Sequence, residues 1–589
     1  MSRRWPRVAP ERRWITGFVL LLLATPLALC ACSSSEPSST IPDPNASDGG
    51  SGGASGSSGA GNGGVSGGFF SACEIGEITC DGERALPCTG GETARDCAAE
   101  GLRCAQGLGC VACSVGEGSC EDGVATLCKK DGSGFETFEC DPLQGLTCEP
   151  DGCKGPCSLA ALGTSYIGCE YFPTVTPNPV FSGFQFAVAV ANTGSDSASV
   201  HVTRGDRAIA DAIVPAGELR MIELPWVSEL KGGDQNACQI PPELDGTKLL
   251  EQGAYRLRTD RPVSVYQFNP LRYELSPTPE GCPLRNDCPG APPRPDEGCL
   301  SFSNDATLLL PSNVLTGSYR ALAWPSGGAG QAFVSVIGTR PDTRVRVEGR
   351  GSFVPGAGLD DSGTGDVVLG AGDVLLLISS AIEGRVFGTD PSGTVIEADA
   401  PVQVISGSSC AWVPTALTNA CDHLEQAMLP LETLGKDYLV TFPAAPGSRS
   451  PHVVRILPVA PDTVISFEPP VPGLGASVTR SPDEGPLQID ALMADVRIAA
   501  SEPILVAHYM QGQESVDSGA GDPSMAMAVP AAQYRSDYIF AVSGTYDYNF
   551  VNVVAPLDTT VLLDGEALPS SEFSPIGSTP YAVARHQLP

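Results

Sequence analysis

Cysteine is the residue type in this chain with the most evident chemistry: 22 of the 589 residues are cysteines. Thiols in an exported chain oxidise in pairs, and a segment too poor in apolar residues to hold a core depends on such bridges. Twelve cysteines form two tandem sets that begin 40 residues apart and share their first two spacings. The sets are Cys73, Cys80, Cys88, Cys97, Cys104, Cys110 and then Cys113, Cys120, Cys128, Cys140, Cys148, Cys153. We predict three disulfides per set, with the pairing open because six cysteines allow fifteen connectivities.

Metal binding is the competing interpretation of these cysteines. Cys110-Val111-Ala112-Cys113 has the spacing of a zinc-binding pair. The segment contains no histidine, and this pair falls at the joint between the two sets. We therefore predict a disulfide-stapled segment over 71–154, made of repeats 73–110 and 113–153, and no metal.

Eight further cysteines are also predicted to form disulfides, and some of them bracket loops. They are Cys157, Cys169, Cys238, Cys282, Cys288, Cys299, Cys410 and Cys421. Cys410 and Cys421 enclose one loop and are natural partners, while three of the others lie in a proline-rich stretch from 282 to 299. Bridged loops on a β scaffold are common positions for binding residues, although many carry none.

Histidines give little indication of catalysis. The chain has five, at His201, His423, His452, His508 and His586, and none lies in a zinc-protease motif or beside a second histidine at ligand spacing. Asp422-His423 could form half of a catalytic site, but a surface-loop histidine is the favoured interpretation. Nucleotide-binding fingerprints and a nucleophile elbow are absent from the sequence. We predict no enzyme, no catalytic residue and no cofactor.

The N-terminus predicts export and lipid anchoring. An arginine-rich start precedes the apolar stretch Ile15 to Ala31, which is too short for a stable spanning helix. Leu29-Cys30-Ala31-Cys32 resembles a bacterial lipobox, so 1–32 is predicted to be a signal peptide with Cys32 lipidated. The alternative is an ordinary secretory signal. The predicted location is the cell envelope, either a bacterial outer membrane or the cell surface, with the membrane as a partner through the lipid.

Composition sets two further expectations. Residues 33–70 are mostly Gly, Ser, Pro, Asn and Ala, which predicts a disordered tether. The formal net charge is -33, which repels phosphate backbones and excludes nucleic acid as an expected partner. The same charge also keeps an exported protein soluble.

Three short motifs, which we call lines, recur in the same order between residues 260 and 559. An apolar run ends in a proline that is followed eight residues later by tyrosine, at Pro311/Tyr319, Pro430/Tyr438 and Pro530/Tyr538. An Asp-Thr line follows each time, at Asp342-Thr343, Asp462-Thr463 and Asp558-Thr559. A proline followed by a β-branched residue precedes each time, at Pro262-Val263, Pro401-Val402 and Pro503-Ile504. Ordered lines at a spacing of 100 to 120 residues indicate copies of one supersecondary unit.

Short alternating apolar runs between glycines and prolines predict strands throughout 155–589. The predicted fold class is all-β, with tandem β-sandwich or propeller-like repeats. The repeated prolines are expected at strand starts or edges. The tyrosines are expected in each unit's core with the hydroxyl bonded at its rim, the alternative being a shared aromatic binding ledge. Phe184 to Val202 is interpreted as a partial first copy. The last copy is interpreted as truncated, and the alternative is that strands from both ends of the region complete one unit.

Several of these residues carry a family resemblance. Ser165 to Phe172, Gly183 to Phe186 and the recurring proline and tyrosine lines resemble the IgGFc-binding protein N-terminal domain family over about 157–589. Bacterial lipoproteins with cysteine-rich leaders, of the myxobacterial type, carry a similar domain. The resemblance implies an extracellular protein that binds or adheres to a glycan or surface protein. A structural envelope spacer without a specific ligand is the alternative, ahead of an extracellular hydrolase.

Overall fold

The computed structural model describes most of the chain from residue 94 onwards and short pieces before it. The described residues are 20–22, 78–87, 94–236, 244–284, 287, 298–327, 330–380, 388–415, 418, 421–515, 521–542 and 544–588. The chain divides into two compact parts, one comprising 26–139 and 149–152, the other 1–25, 140–148 and 153–589. Strands dominate both parts, so the predicted all-β fold class is confirmed. None of the helices in the described ranges has the length and apolarity to cross a bilayer.

The two cysteine sets fold with the same element order. Each set has three strands, a 3₁₀ turn and two further strands. The first set contains Ile78–Asp81, Arg84–Pro87, Arg95–Asp96, the turn Ala98–Glu100, Arg103–Ala105 and Gly109–Val111. The second set contains Gly118–Glu121, Val124–Cys128, Phe135–Glu139, the turn Pro142–Gln144, Thr147–Glu149 and Gly152–Lys154. The sequence repeat is therefore a structural repeat.

Disulfides occur in both parts of the chain, as predicted for an exported protein. The pairs are Cys80–Cys104, Cys97–Cys110, Cys113–Cys128, Cys140–Cys153, Cys157–Cys169, Cys282–Cys299 and Cys410–Cys421. Cys120 and Cys148 are also disulfide-bonded. The sulfurs of the Cys110–Cys113 segment are thus bridged to Cys97 and Cys128 and are not thiolates. Cys32, Cys73, Cys88, Cys238 and Cys288 lie outside the described residues, as does the tether predicted at 33–70.

Four repeat units follow the cysteine sets. The strands of the first are Gly168–Tyr171, Phe186–Ala191, Ala198–Arg204, Arg207–Val214, Leu219–Leu224, Lys248–Leu250, Arg256–Asn269, Glu274–Leu275, Cys299–Leu300 and Asp305–Leu309. Those of the second are Ser318–Arg320, Ala332–Gly338, Thr343–Glu348, Gly365–Leu369, Val374–Ile378, Val395–Ala398, Val402–Ala411 and Asp422–Ala427.

The third and fourth units are shorter. The strands of the third are Asp437–Val440, Ala444–Ala445, Ser448–Arg449, His452–Pro458, Thr463–Val471, Gly475–Arg480, Leu487–Leu492, Val496–Ala500, Ile504–Met510 and Ser524–Met527. Those of the fourth are Asn549–Pro556, Leu562–Leu563, Glu566–Ala567, Phe573–Pro575 and Tyr581–Leu588, with Leu20–Leu22 paired to its first strand. The described helices are Leu159–Leu162, Ser228–Lys231 and the 3₁₀ turns Leu431–Thr433, Pro482–Glu484, Gln513–Ser515, Ala531–Gln533 and Ser570–Glu572.

Each of the first three units is a sandwich of an inner and an outer sheet. In the second unit the inner sheet runs 248–250, 374–378, 332–338, 402–411, 422–427, and the outer sheet runs 318–320, 395–398, 343–348, 365–369. Val334 and Val336 of the inner sheet pack against Val345 and Val347 of the outer sheet. The third unit repeats this order, and in the first unit the long strand Arg256–Asn269 pairs in both sheets.

The other face of each inner sheet packs on the preceding unit. Phe333 and Ile337 of the second unit join the core of the first, and Leu505 and Tyr509 of the third join the core of the second. Burial on both faces explains why whole central strands, such as Ala332–Gly338, read as continuous apolar runs.

The contact between the fourth and first units closes the four into a ring. Ala541 and Val542 pack on Ala187 and Ala189, and the Tyr266 hydroxyl donates to the carbonyl of Ile539 at 3.3 Å. Arg535 stacks over the Tyr166 ring at 4.9 Å. On the other side, Asn552 of the fourth unit donates to Thr441 Oγ1 of the third at 3.0 Å. The sequence left open whether the units string out or close, and the structure has them closed.

The Asp-Thr lines are turns in left-handed backbone conformation. Asp342, Asp462 and Asp558 have φ of 54°, 51° and 65°, a region that aspartate tolerates better than most residues. In the first two lines the following threonine hydroxyl donates back three residues, to the carbonyls of Arg340 at 3.0 Å and Ala460 at 2.7 Å. Each turn joins the central inner strand to an outer strand.

In the second and third units, a hydrogen bond joins the tyrosine line to the proline line. The Tyr319 hydroxyl donates to the carbonyl of Val402 at 2.8 Å and accepts the N–H of Thr316 at 3.3 Å. Tyr438 makes the equivalent bonds to Ile504 at 2.6 Å and Gly435 at 3.0 Å. Both rings are fully buried, so the core position is confirmed for Tyr319 and Tyr438, and a binding ledge shared by the three tyrosines was wrong. The third, Tyr538, is half-buried and stacks on Tyr166. Strands begin directly after Pro401 and Pro503, as predicted, but Pro262 lies inside Arg256–Asn269, where that strand passes between sheets.

The first unit is a complete copy, so the prediction of a partial copy at 184–202 was wrong. Tyr171 donates to the carbonyl of Val263 and accepts the N–H of Gly168 at 2.9 Å, which reproduces the repeat bond. The repeat was missed because Gly163 stands eight residues before Tyr171, where the other copies have proline.

Candidate binding site

Both predicted disulfide-bridged loops lead to residues of the same face of the β-repeat region. Cys299 opens the short strand Cys299–Leu300, which pairs with Glu274–Leu275 and places Tyr273 beside Phe302. Cys421 directly precedes Asp422, at the start of the edge strand Asp422–Ala427. We call the rings of Tyr273, Phe302 and Tyr546, together with the buried carboxyl groups of Asp422 and Asp522 near them, the aromatic–acidic face.

Three aromatic rings pack together on this face. The rings of Tyr273 and Tyr546 stack with centroids 4.7 Å apart, and Phe302 meets Tyr273 edge-on at 6.0 Å. Phe302 is 41% exposed, and its φ of 48° is unusual for a bulky residue. The conformation is held by Ser301, whose N–H donates to the carbonyl of Tyr273 at 2.8 Å. An exposed ring on strained backbone is a feature of binding surfaces.

Carboxylates surround this aromatic cluster. Burial, and then the charges of Asp522, Asp547 and Asp422, raise the pKa of Tyr273 to about 12. Burial alone raises the pKa of Asp522 to about 7. The pKa of Asp422 lies well above its usual range because the group is buried and faces Asp522 and Asp305. The face thus combines ring surfaces with hydrogen-bonding carboxyl groups, some of which hold protons near neutral pH.

Edge strands of the first and second units lie side by side next to Asp422. Asp305 Oδ2 accepts the N–H of Glu425 at 2.9 Å, and Thr307 Oγ1 accepts the N–H of Ala427 at 2.8 Å. Gln426 Nε2 donates to the carbonyl of Ala306 at 2.8 Å. These bonds join Asp305–Leu309 of the first unit to Asp422–Ala427 of the second, so the base of the face is rigid.

A buried polar network continues from this base and contains His423. Thr176 Oγ1 donates to Glu425 Oε2 at 2.5 Å, and Gln267 Nε2 donates to Glu425 Oε1 at 3.1 Å. His423 Nε2 lies 3.2 Å from both Thr176 Oγ1 and Asn269 Nδ2. His423 is fully buried within a strand, so its prediction as a surface-loop histidine was wrong.

The network does not have the geometry of a nucleophilic triad. A catalytic histidine uses one ring nitrogen for the nucleophile and the other for the orienting carboxylate. Here Nε2 faces both Thr176 and Glu425, the latter at 3.4 Å, while Nδ1 has no hydrogen-bond partner among the described residues. Complete burial also keeps substrate away. The network fits a role in holding the first two units together.

A second candidate is a polar cleft of about 500 Å³ between the first unit and the 371–372 turn of the second. Arg256 and Arg258 line it, together with Asp206 and Gln252. Arg256 is paired with Glu170 at 2.5 Å, and Arg258 with Asp141 at 2.8 Å. Because both guanidinium groups already face carboxylates, the cleft offers little net attraction to an anion.

Comparison with known proteins finds a family match in the last three units. The family model described as IgGFc binding protein matches residues 305–589. These residues are similar to that family. The match begins at Asp305 and covers the second, third and fourth units, so it includes Asp422, Asp522 and Tyr546 of the aromatic–acidic face. The family is named for binding and not for a reaction.

The other comparisons add nothing to this assignment. No curated protein matches the chain. A solved structure titled "Biofilm associated protein - BSP domain" aligns with 63% of this chain and 67% of its own at 9% identity, with a TM-score of 0.11. A superposition of that quality carries no argument about fold or function.

Sequence reasoning located the neighbourhood of the face and missed most of its residues. The bridged loops after Cys282 and Cys410 were predicted as positions for binding residues, and both lead to the face. Tyr273 and Tyr546 lie 273 positions apart, so only closure of the ring brings them together. The positive φ of Phe302 likewise has no sequence signal.

Proposed function

We propose that this protein is an exported, lipid-anchored surface protein that binds a glycan of the cell surface or its surroundings through the aromatic–acidic face. The observation that supports this most directly is the stacked pair Tyr273–Tyr546 with the exposed ring of Phe302 beside it. The similarity of residues 305–589 to a family named for binding agrees with it.

The chemistry of the face favours a ligand without strong negative charge. Aromatic faces pack on apolar surfaces and keep one polar tip in water, which suits the C–H faces of sugars. Carboxyl groups accept hydrogen bonds from ligand hydroxyls, and protonated ones can also donate. The chain's net charge of -33 repels polyanions. A surface protein with exposed basic residues is the second ligand class that would suit the same groups.

The anchor and tether belong to the same proposal. Lipidation of Cys32 would fix the chain to a membrane, and the Gly/Ser-rich segment 33–70 would hold the ring away from it. Metabolic labelling with a fatty acid tests the anchor. We expect label on the unmodified chain and none on Cys32→Ser, while label on both would contradict lipidation at this residue.

A binding screen with matched variants tests the face. The purified, oxidised chain is presented to neutral glycans, mucin, immunoglobulin and cell-envelope fractions. We expect saturable binding to a glycan that falls at least tenfold in Tyr273→Ala and Phe302→Ala, because the stacked surface is lost. Phe135→Ala, a similarly exposed phenylalanine in the cysteine-rich part, serves as the control and is expected to bind normally.

Three other results would each overturn a different part of the proposal. Binding only to a protein would replace the glycan with a protein ligand at the same face. Binding that Tyr273→Ala leaves intact would place the site elsewhere. No binding by folded protein would favour an envelope spacer.

A further inference from the structure

The central strand of the inner sheet has two antiparallel neighbours in each of the first three units. One neighbour precedes it in the sheet order. The other is the strand that contains the repeated proline in the first unit and begins directly after it in the second and third units. The triplets are 219–224/186–191/256–269, 374–378/332–338/402–411 and 487–492/452–458/504–510. Every backbone group of the central strand can therefore pair within its own sheet.

The fourth unit departs from this pattern on one side. Asn549–Pro556 pairs antiparallel with Tyr581–Leu588, in register from Asn549↔Leu588 to Pro556↔Tyr581. Its other side carries Leu20–Leu22, which runs parallel and pairs over three residues, starting at Leu20↔Asn552. Among the described residues, no antiparallel proline-line strand occupies this side as it does in the other three units.

The residues around this side of Asn549–Pro556 include those that, in the other units, contact the strand of the proline line. Val551, Val553 and Ala555 are buried in the unit's own core. Arg535 N–H donates to the Tyr538 hydroxyl at 3.0 Å, which is the N–H half of the repeat bond. In the other units that hydroxyl donates to the carbonyl after the proline, whereas Tyr538 lies against Tyr166, with ring centroids 6.2 Å apart.

We propose that the edge of Asn549–Pro556 is an acceptor site for an extended polypeptide segment supplied by a partner. The segment would add one antiparallel strand, begin with proline followed by a β-branched residue, and place alternate apolar side chains in the fourth unit's core. Main-chain hydrogen bonds would supply affinity and the apolar positions specificity, as in other strand-addition complexes. The three internal copies define this occupant, and Leu20–Leu22 shows that the edge can pair with a strand from outside the repeat units.

Export would expose this edge of Asn549–Pro556. Leu20–Leu22 lies in the predicted signal peptide, and cleavage before Cys32 would remove it from the edge. An open edge strand is a template for pairing with another chain. The site is separate from the aromatic–acidic face, so its test does not depend on the proposed glycan binding.

A labelled peptide of residues 501–510 is the probe, because it is the proline-line strand of the third unit. Two forms are compared: the full chain in detergent, and a form that begins at residue 32 with Cys32→Ser. We expect saturable binding to the shorter form, at least tenfold weaker binding to the full chain, and hydrogen-exchange protection centred on 549–556. The control peptide carries Ile504→Asp and Val506→Asp, which place charge at core positions, and is expected not to bind.

A fused strand gives an independent test. Residues 501–510 are attached after Pro589 through a Gly/Ser linker, and the control fusion carries the two aspartates. We expect the first fusion to raise Tm by roughly 3–6 °C and to abolish binding of the free peptide, while the control fusion does neither. Absence of peptide binding, protection away from 549–556, equal binding of the charged peptide, or a fusion without effect would each overturn the proposal.

Discussion

At the scale of single residues, the repeat tyrosines carry the most specific information in this fold. Their hydroxyls tie the first strand of a unit to the strand that begins after the repeated proline, across 66 residues in the third unit. The sequence contained both lines and predicted the buried ring. It could not predict the bond between them, because which carbonyl meets the hydroxyl depends on strand order.

Tyr438→Phe tests this bond. The substitution leaves the ring in place but removes the partner of the buried Ile504 carbonyl and of the half-buried Gly435 N–H. We expect the free energy of unfolding to fall by about 1–3 kcal/mol. Denaturant titration measures it, with Tyr548→Phe as the exposed control. Equal midpoints for the two variants would contradict a structural role for the bond.

Asp522→Asn tests the acidic part of the face. The folded-state pKa of Asp522 is about 7, above the ordinary value of 3.8, because burial favours the neutral form. The stabilisation from holding its proton is complete below pH 3.8 and is lost as pH rises through 7. We therefore expect the variant to gain Tm relative to the unmodified chain between pH 4 and pH 8.

Thermal unfolding across that pH range makes the comparison, with Asp366→Asn as an exposed control in another unit. The control is expected to follow the unmodified chain. A Tm difference between Asp522→Asn and the unmodified chain that does not change with pH would show that Asp522 ionises as an ordinary aspartate.

At the scale of elements, short turns determine how each inner strand passes to its outer sheet. Sequence patterning identified most of these strands because alternation and proline placement are local signals. The positive φ of Asp342, Asp462 and Asp558 explains why aspartate recurs at this position. Strands buried on both faces, such as Val374–Ile378, were harder to place, since their second face is covered by another unit.

Substitutions at Asp462 separate backbone conformation from side-chain chemistry. The side chain is exposed, so its effect acts through φ. We expect Asp462→Val to lower the free energy of unfolding by about 1–2 kcal/mol, because β-branched residues avoid this region. Asp462→Gly is expected to change it by less than about 0.5 kcal/mol. Chemical denaturation decides between them, and equal losses would indicate that the carboxylate matters instead.

At the scale of the whole molecule, head-to-tail packing turns four similar units into a closed ring. The cores of the first and second units each include residues of the next unit, so neither of these two cores is self-contained. Closure joins the first and fourth units at Tyr166, Tyr266, Tyr538 and Ile539. Repeat spacing predicted three copies and missed the first unit, which has Gly163 in place of the repeated proline. It could not predict closure, because closure depends on the small rotation between successive units.

The aromatic–acidic face is a product of closure. Tyr273 belongs to the first unit and Tyr546 to the fourth, and each would lack its partner in an open array. Binding by this face therefore requires an intact ring. The same closure leaves one side of Asn549–Pro556 without an antiparallel partner in the described structure.

A double-mutant cycle between Tyr273 and Tyr546 tests closure and the face together. The free energy of unfolding is measured for the unmodified chain, Tyr273→Ala, Tyr546→Ala and the double variant. Stacked rings 4.7 Å apart predict a coupling energy of about 0.5–1.5 kcal/mol. Additive losses, with coupling indistinguishable from zero, would mean that the first and fourth units do not meet and would contradict the ring.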